Sequence, residues 1–263
     1  MKHGSNTARA IVLGATDYSE SDLILTFYTE EFGKVKGIAK GARRSRRRFV
    51  GTLDAPAHIR GVFHASDRSD LVRMEAAALV DAFSGLKSDV VRYANACCML
   101  ELVSETTREG QANSCIYGLL LEFLRLMEAA VAGPALLRFF EIKLMALAGY
   151  QPHLDGCVVC RQGFDQAGGG RIYFSSERGG TVCCKCSGGL GLPLSVGTAR
   201  MLSSAARLDT DKLARLKPAP GMLEESARLL DDFIRHQIGR ELKARRFLAR
   251  LANPGSFSAK AQA

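Results

Sequence analysis

Residues 22–40 read DLILTFYTEEFGKVKGIAK, and this stretch predicts a β-hairpin. Its first part, 22–29, alternates and is rich in β-branched and aromatic residues, as in a half-buried strand. A turn follows at 30–33, and 34–40 forms the return strand. Alternate residues of a strand share a face, so three lysines of the return strand are expected to point the same way. They are Lys34, Lys36 and Lys40.

Three further strands are predicted around this hairpin, at 10–13, 57–65 and 70–83. Five short strands within about 75 residues are typical of a small closed barrel such as an OB-fold. The sequence therefore predicts that residues 1–83 form an OB-fold domain.

Positive charge is concentrated in one segment of the barrel sequence. The chain has a net charge of +9, and residues 32–53 contain eight basic residues and no acidic one. Such a segment is typical of a polyanion binder, although a solvated charge run is the alternative, and it predicts that the OB-fold domain binds nucleic acid. The loop at 41–49 carries five arginines and is expected to be mobile without a ligand. The predicted DNA contacts here are Lys34, Lys36, Lys40, Arg43, Arg44, Arg46, Arg47 and Arg48.

Aromatic residues of the barrel sequence could stack on bases. Phe27, Tyr28, Phe49 and Phe63 are available, but aromatic residues in strands more often belong to the core. We therefore expect these four side chains to be buried.

Helical periodicity replaces the strand pattern from about residue 86. We expect a helical domain at 84–150, interrupted by a cysteine-rich module at 151–189 and completed at 190–252. The last helical stretch runs from 222 to about 251, and a disordered tail is expected at 253–263. The predicted fold class is therefore α+β and multidomain.

A second basic cluster lies in that last helical stretch. Arg240, Lys243, Arg246 and Arg250 are spaced to share one helix face. They could extend a nucleic-acid path or bind an acidic protein, or simply complement the helix dipole. The predicted secondary DNA contacts are Arg240, Lys243, Arg245 and Arg246.

Two C-x-x-C pairs with 22 residues between them predict a zinc site. The expected ligands of one structural Zn²⁺ are Cys157, Cys160, Cys183 and Cys186. Cys184 could replace Cys183, and His153 could compete, but the matched spacing favours the four cysteines. Disulfides or free thiols are the alternatives. Because four thiolates fill the shell, we expect a structural ion rather than a catalytic one.

The remaining patterns bear on activity and location. None of the common phosphate-loop, nucleophile-elbow or metalloprotease motifs occurs, which argues against an enzyme. No stretch is apolar enough to span a membrane, and a secretory signal is lacking. The cysteine usage suggests a reducing compartment, and we expect a cytoplasmic protein.

Six motifs now form a recognisable combination. DYSESDLIL at 17–25 precedes FGK at 32–34, and GIAKGAR follows at 37–43. FFEIKLM at 139–145 and LAGYQP at 147–152 run into Cys157, and LKAR lies at 242–245. In order and spacing, the chain resembles the RecO family of bacterial DNA repair and recombination mediators over nearly its whole length.

This resemblance implies an N-terminal OB-fold, a helical domain and a zinc-ribbon-like insertion. It implies binding of single- and double-stranded DNA and annealing of complementary strands. The implied partners are RecR, in some lineages RecF, and the C-terminal tail of the single-stranded DNA-binding protein. Their joint task is to load RecA on DNA, which implies a nucleoid-associated protein. The alternative is a zinc-ribbon nucleic-acid-binding regulator that acts by protein–protein contacts; a metal-dependent nuclease is a third class.

Overall fold

The computed structural model describes residues 4–45, 47–66, 69–129, 133–164 and 171–252. Two compact units make up the chain. The first unit comprises Met1–Val131 and Leu242–Ala263, and the second comprises Ala132–Glu241. The first unit thus joins the barrel to helices that the sequence assigned to a separate helical domain. The boundaries at 84, 151 and 190 stay predictions, and the tail at 253–263 lies outside the described residues.

Five strands of the first unit form a closed barrel in the order β1-β2-β3-β5-β4. All neighbouring strands are antiparallel except β3 and β5, which run parallel. This order confirms the five-stranded barrel of the predicted OB-fold. The strands are β1 (Gly4–Asp17), β2 (Leu23–Thr29), β3 (Gly33–Ala39), β4 (His58–Ser66) and β5 (Ser69–Asp81).

Aromatic side chains fill the barrel. Phe27 and Phe63 meet edge to face, with ring centroids 5.3 Å apart. Gly61 leaves room for the Phe63 ring, because a Cβ at Gly61 would lie 2.5 Å from it. Tyr28 and Phe49 are buried as well. The expectation that these four aromatic residues are buried is confirmed, so none of them is a surface for base stacking.

Four α-helices complete the described part of the first unit. They are α1 (Ser84–Lys87), α2 (Val90–Thr106), α3 (Ser114–Glu128) and α8 (Lys243–Ala252). Asp89 caps α2 and Asn113 caps α3, each by accepting two backbone N–H bonds. Glu101 of α2 caps α8, since its two carboxylate oxygens each accept a 2.9 Å bond from the backbone N–H groups of Lys243 and Ala244.

Gly33 lets the barrel approach the chain between α2 and α3. A Cβ at Gly33 would lie 1.9 Å from the carbonyl oxygen of Gln111, and the φ of Gly33 is +66°. Beside it, the N–H of Gly110 donates a 3.0 Å bond to the Lys34 carbonyl. This close contact explains the glycine of the FGK motif.

The second unit combines three long helices with a small sheet. The sheet order is β7-β6-β8, and α4, α6 and α7 pack on one another. The elements are α4 (Leu136–Leu147), β6 (Ile172–Ser175), β7 (Gly180–Cys183), α5 (Cys184–Ser187), β8 (Leu192–Leu194), α6 (Val196–Arg207) and α7 (Pro220–Ile238).

The predicted continuous helix from 222 to about 251 is wrong. The chain leaves α7 at Gly239, which has a φ of +79°, and α8 begins at Lys243. A left-handed glycine ends a helix because it turns the chain away from the helical path. Arg240 therefore lies in the connection and does not share a helix face with Lys243 and Arg246. Among the described residues, no helix is long and apolar enough to cross a membrane.

Candidate nucleic-acid interface and metal centre

Backbone contacts hold residues 40–49, the arginine-rich segment, on the barrel. The N–H of Gly41 donates a 2.7 Å bond to Asp22 Oδ1, and the N–H of Arg43 donates a 3.1 Å bond to the Ser21 carbonyl. Further on, the Arg48 carbonyl accepts a 3.0 Å bond from Ala77 of β5, and Phe49 is buried. Residues 42–44 form a short 3₁₀-helix. The segment is therefore attached to the barrel at both ends.

The described basic side chains of this segment face solvent. Arg43 is paired with Asp17, and Arg44 lies 3.7 Å from Glu20. The Arg48 guanidinium stacks over Phe49, 4.9 Å from the ring centroid, and donates a 2.7 Å bond to the Lys40 carbonyl. Arg46 lies outside the described residues. Five predicted contacts are thus exposed in one segment: Lys40, Arg43, Arg44, Arg47 and Arg48.

Lys34 and Lys36 have partners inside the first unit. Lys34 Nζ donates a 2.5 Å bond to the Ser104 carbonyl at the end of α2, and burial lowers the pKa of Lys34. Lys36 Nζ lies 2.7 Å from Glu109 Oε1. Both side chains leave the same face of β3, as predicted, but that face meets the end of α2 and the chain that follows it. These contacts compete with phosphate binding.

The second basic cluster contains both exposed and buried side chains. Lys243 and Arg246 are exposed on α8, and Phe247 is 42% exposed beside them. Arg245 is buried, at 8% exposure, so it does not present a guanidinium to a surface ligand. The prediction of a secondary phosphate contact is corrected for Arg245 on this ground. Arg240 is exposed in the connection before α8.

Four cysteines of the second unit converge on one point. The sulfur atoms of Cys157, Cys160, Cys183 and Cys186 all lie within 4.8 Å of one another. Cys160 Sγ and Cys183 Sγ are 3.9 Å apart. Four thiolates bound tetrahedrally at about 2.3 Å from an ion lie about 3.8 Å from one another, so the cluster can hold a metal ion. Cys184 is exposed and lies outside this group, and so does His153.

The electrostatics of the cluster also suit a cation. Burial raises the pKa of the Cys157 thiol, but hydrogen bonds from the backbone N–H groups of Cys160, Cys183 and Val159 lower it by more. The net pKa of Cys157 is about 6. The pKa of Cys186 is raised to about 12, chiefly by the hydrogen bond to the Cys183 sulfur. Closely spaced thiolates repel each other, and a divalent cation removes that repulsion.

Local packing brings the two cysteine pairs together. Gly180 precedes the second pair, and a Cβ there would lie 2.5 Å from the His153 carbonyl. The absence of that Cβ allows Thr181 to donate a 2.9 Å backbone bond to the same carbonyl. The module is fastened to α7 by Phe174 and Phe233, whose ring centroids are 5.8 Å apart.

Sequence reasoning missed the tip of the β1–β2 hairpin. Asp17 and Glu20 supply the carboxylates that face Arg43 and Arg44, and Tyr18 between them is 63% exposed. The signal was present in the polar run YSES between two apolar strands, because an aromatic residue is unusual in such a turn.

Comparison with known proteins agrees with this architecture. Residues 1–83 match the family described as "Recombination protein O N terminal", and residues 87–246 match "Recombination protein O C terminal". A DNA repair protein RecO of Syntrophus aciditrophicus is 34% identical over 255 residues, which cover 95% of this chain and 98% of the relative.

Two further relatives carry the same description, DNA repair protein RecO. The one from Anaeromyxobacter sp. strain K is 37% identical over 243 residues, covering 90% of this chain and 93% of the relative. The one from Geobacter sulfurreducens is 32% identical, covering 92% and 96%. These matches agree with the barrel unit and its basic segment, and with the four-cysteine cluster of the second unit. The chain therefore belongs to the RecO family of DNA repair and recombination proteins.

Proposed function

We propose that the protein binds single- and double-stranded DNA on the arginine-rich segment and anneals complementary strands. The observation that carries this proposal is the exposed basic set Lys40, Arg43, Arg44, Arg47 and Arg48 on an OB-fold barrel of a RecO-family chain. An arginine guanidinium group can donate two parallel hydrogen bonds to phosphate oxygens. Neutralisation of the phosphates releases counterions from the DNA. Two neutralised strands can approach each other, and annealing requires such an approach.

Intramolecular ion pairs do not block this surface. Arg43 and Arg44 face Asp17 and Glu20 in solvent, where such pairs contribute about 0–1 kcal/mol. A phosphate backbone can therefore replace either carboxylate at small cost. The pairs also hold the guanidinium groups at the hairpin tip before DNA arrives, which reduces the side-chain entropy lost on binding.

The wider role follows from the family. We propose that the protein acts without catalysis, as a mediator that helps to load RecA on DNA coated with single-stranded DNA-binding protein. Its proposed partners are RecR, RecF where it is required, and the C-terminal tail of the single-stranded DNA-binding protein. Arg240, Lys243 and Arg246 are proposed as secondary DNA contacts. Lys34, Lys36 and Arg46 stay in the proposed main interface, where Lys34 and Lys36 would exchange the Ser104 carbonyl and Glu109 for phosphates.

The four-cysteine cluster is proposed to hold one structural Zn²⁺. Thiolate sets with tetrahedral spacing favour zinc, and four protein ligands leave no open position for a substrate. When bound, the ion would cross-link the two cysteine pairs. The protein places the four sulfur atoms around one point, and its backbone N–H groups donate hydrogen bonds to the Cys157 thiolate.

Salt-dependent DNA binding tests the proposed interface. Fluorescence anisotropy with a labelled oligothymidine would be measured over a range of salt concentrations for the wild type and for the quadruple alanine variant of Arg43, Arg44, Arg47 and Arg48. We expect the variant to bind more weakly and to lose about 0.7 of the log–log salt slope for each phosphate contact removed. The matched control removes four exposed charges from the second unit: Arg171, Arg215, Lys217 and Arg228.

Equal losses in the two variants would contradict the proposed interface, because net charge alone would then explain binding. A wild type that prefers structured RNA to single-stranded DNA would favour the regulator instead.

A further inference from the structure

The hairpin tip between β1 and β2 presents an aromatic ring to solvent. Tyr18 is 63% exposed, more than any other aromatic side chain in the described part of the chain. Its side chain makes no hydrogen bond and no ring contact with a described residue, whereas the barrel aromatics Phe27, Phe49 and Phe63 are buried. Because most of the ring is exposed, a planar ligand can reach it.

The tip around Tyr18 is ordered by its own hydrogen bonds. The N–H of Tyr18 donates a 3.1 Å bond to the Asp22 carbonyl, which closes the turn. Ser19 Oγ accepts a 3.2 Å bond from the N–H of Asp22. Asp22 in turn accepts the Gly41 N–H at 2.7 Å. The ring is therefore carried on a turn that is tied directly to the start of the arginine-rich segment.

An acidic residue on each side of Tyr18 in the sequence faces an arginine. Asp17 pairs with Arg43, and Glu20 lies 3.7 Å from Arg44. The ring and two guanidinium groups are thus gathered at one edge of the barrel. A cationic path beside an exposed aromatic ring is how proteins bind single-stranded nucleic acid, with phosphates on the cations and a base on the ring.

We propose that Tyr18 is a base-stacking residue for single-stranded nucleic acid, with Arg43 and Arg44 contacting the phosphates next to the stacked base. The proposal rests on the proposed function, since it concerns the same arginine-rich segment. It adds a source of selectivity that phosphate contacts lack: only an unpaired base offers its face to the ring. The stacked contact is lost when the strand pairs, so the completed duplex is held less tightly at this point.

Alanine and phenylalanine substitutions separate stacking from charge. Base–aromatic stacking predicts that Tyr18→Ala weakens single-stranded DNA binding by roughly 5- to 150-fold. Tyr18→Phe, which keeps the ring, is expected to bind like the wild type. Binding of a blunt duplex is expected to change less than twofold in either variant.

The absence of tryptophan from the chain allows a direct spectroscopic test. Tyr18→Trp introduces a single indole at the tip, and stacking on a base quenches its emission. Addition of oligothymidine is expected to quench this emission to saturation. An oligonucleotide of abasic residues with the same number of phosphates is expected to bind without the quench. The matched control is Tyr150→Trp in the second unit, where the native ring is 41% exposed and no quench is expected.

The outcomes distinguish this inference from the proposed function. If the arginine variant loses DNA binding while Tyr18→Ala binds single strands like the wild type and the new indole is not quenched, the stacking proposal is overturned and the interface stands. Equal quenching by the abasic oligonucleotide also overturns stacking. If the wild type binds no DNA, the proposed function itself fails.

Discussion

His58 Nε2 lies 2.8 Å from Tyr117 Oη, in a contact that joins strand β4 to helix α3. Both residues are buried, and their rings meet edge to face at 6.2 Å. Burial lowers the pKa of His58 below its ordinary value of 6.5 and raises that of Tyr117 to about 12. The charges near His58 are of both signs and belong to Arg125, Asp81, Arg9 and Glu30. The pair is thus neutral at physiological pH.

The pH dependence of stability follows from this pair. Because the folded-state pKa of His58 is lowered, the unfolded chain binds the proton first as pH falls. The stability that His58 contributes is present above pH 6.5 and is lost as pH falls below that value. We expect the urea-unfolding free energy of the wild type to decrease between pH 7.5 and 5.5, and the decrease to be smaller in His58→Gln. The exposed His236→Gln is the control. An unchanged pH dependence in His58→Gln would contradict this assignment.

Gly33 supports a prediction about close packing. Gly33→Ala places a Cβ against the Gln111 carbonyl and strains a left-handed backbone, so we expect a loss of about 2 kcal/mol or more in unfolding free energy. Gly110→Ala is the matched control, because its φ is +72° and a Cβ there meets nothing within 4 Å. We expect Gly110→Ala to lose about 1 kcal/mol of unfolding free energy, from the strained left-handed backbone alone. Chemical unfolding of both variants measures the difference, and equal losses would show that the contact with Gln111 is unimportant.

Asp22 fixes the start of the arginine-rich segment. The N–H of Gly41 lowers the pKa of Asp22, as expected for a carboxylate that accepts a backbone bond. Asp22→Ala removes the acceptor, so we expect faster tryptic cleavage at Arg43 and Arg44 and weaker DNA binding. Asp22→Asn keeps a side-chain oxygen and is expected to stay close to the wild type. Cleavage rates that are the same in all three proteins would count against this anchoring role.

The proposed metal site predicts that metal content and stability change together. We expect Cys157→Ala to lose zinc and to unfold at a lower temperature, because small metal modules depend on the ion for folding. Cys184→Ala is the control, since Cys184 lies outside the cluster. Mass spectrometry under native conditions and thermal unfolding test both variants. A Cys157→Ala protein that lacks zinc at full stability would contradict the structural role, and zinc loss in Cys184→Ala would contradict the ligand set.

The barrel could be predicted from the sequence because its strands alternate in residue type and end at turn residues. The cysteine spacing likewise predicted a cluster that the structure brings within 4.8 Å. Both signals are local: each depends on residues close in the chain or on a motif with a defined geometry. The burial of Phe27, Tyr28, Phe49 and Phe63 also followed from their strand positions.

Other features depend on contacts between distant residues. Helical periodicity continues across Gly239, and a single glycine in a helical pattern does not by itself show that the helix ends there. The partners of Lys34 and Lys36 lie about 70 residues away, at Ser104 and Glu109, so a count of basic residues could not show that these two lysines are engaged. The buried place of Arg245 depends in the same way on tertiary packing.

The most direct test of the account is annealing of complementary oligonucleotides that are coated with single-stranded DNA-binding protein. The wild type would be compared with the alanine variant of Arg43, Arg44, Arg46, Arg47 and Arg48, after zinc content and folding are verified for both. The account predicts that the wild type accelerates annealing and that the variant does not. No acceleration by the folded, zinc-loaded wild type would contradict the mediator function, and equal acceleration by the variant would remove DNA binding from the arginine-rich segment.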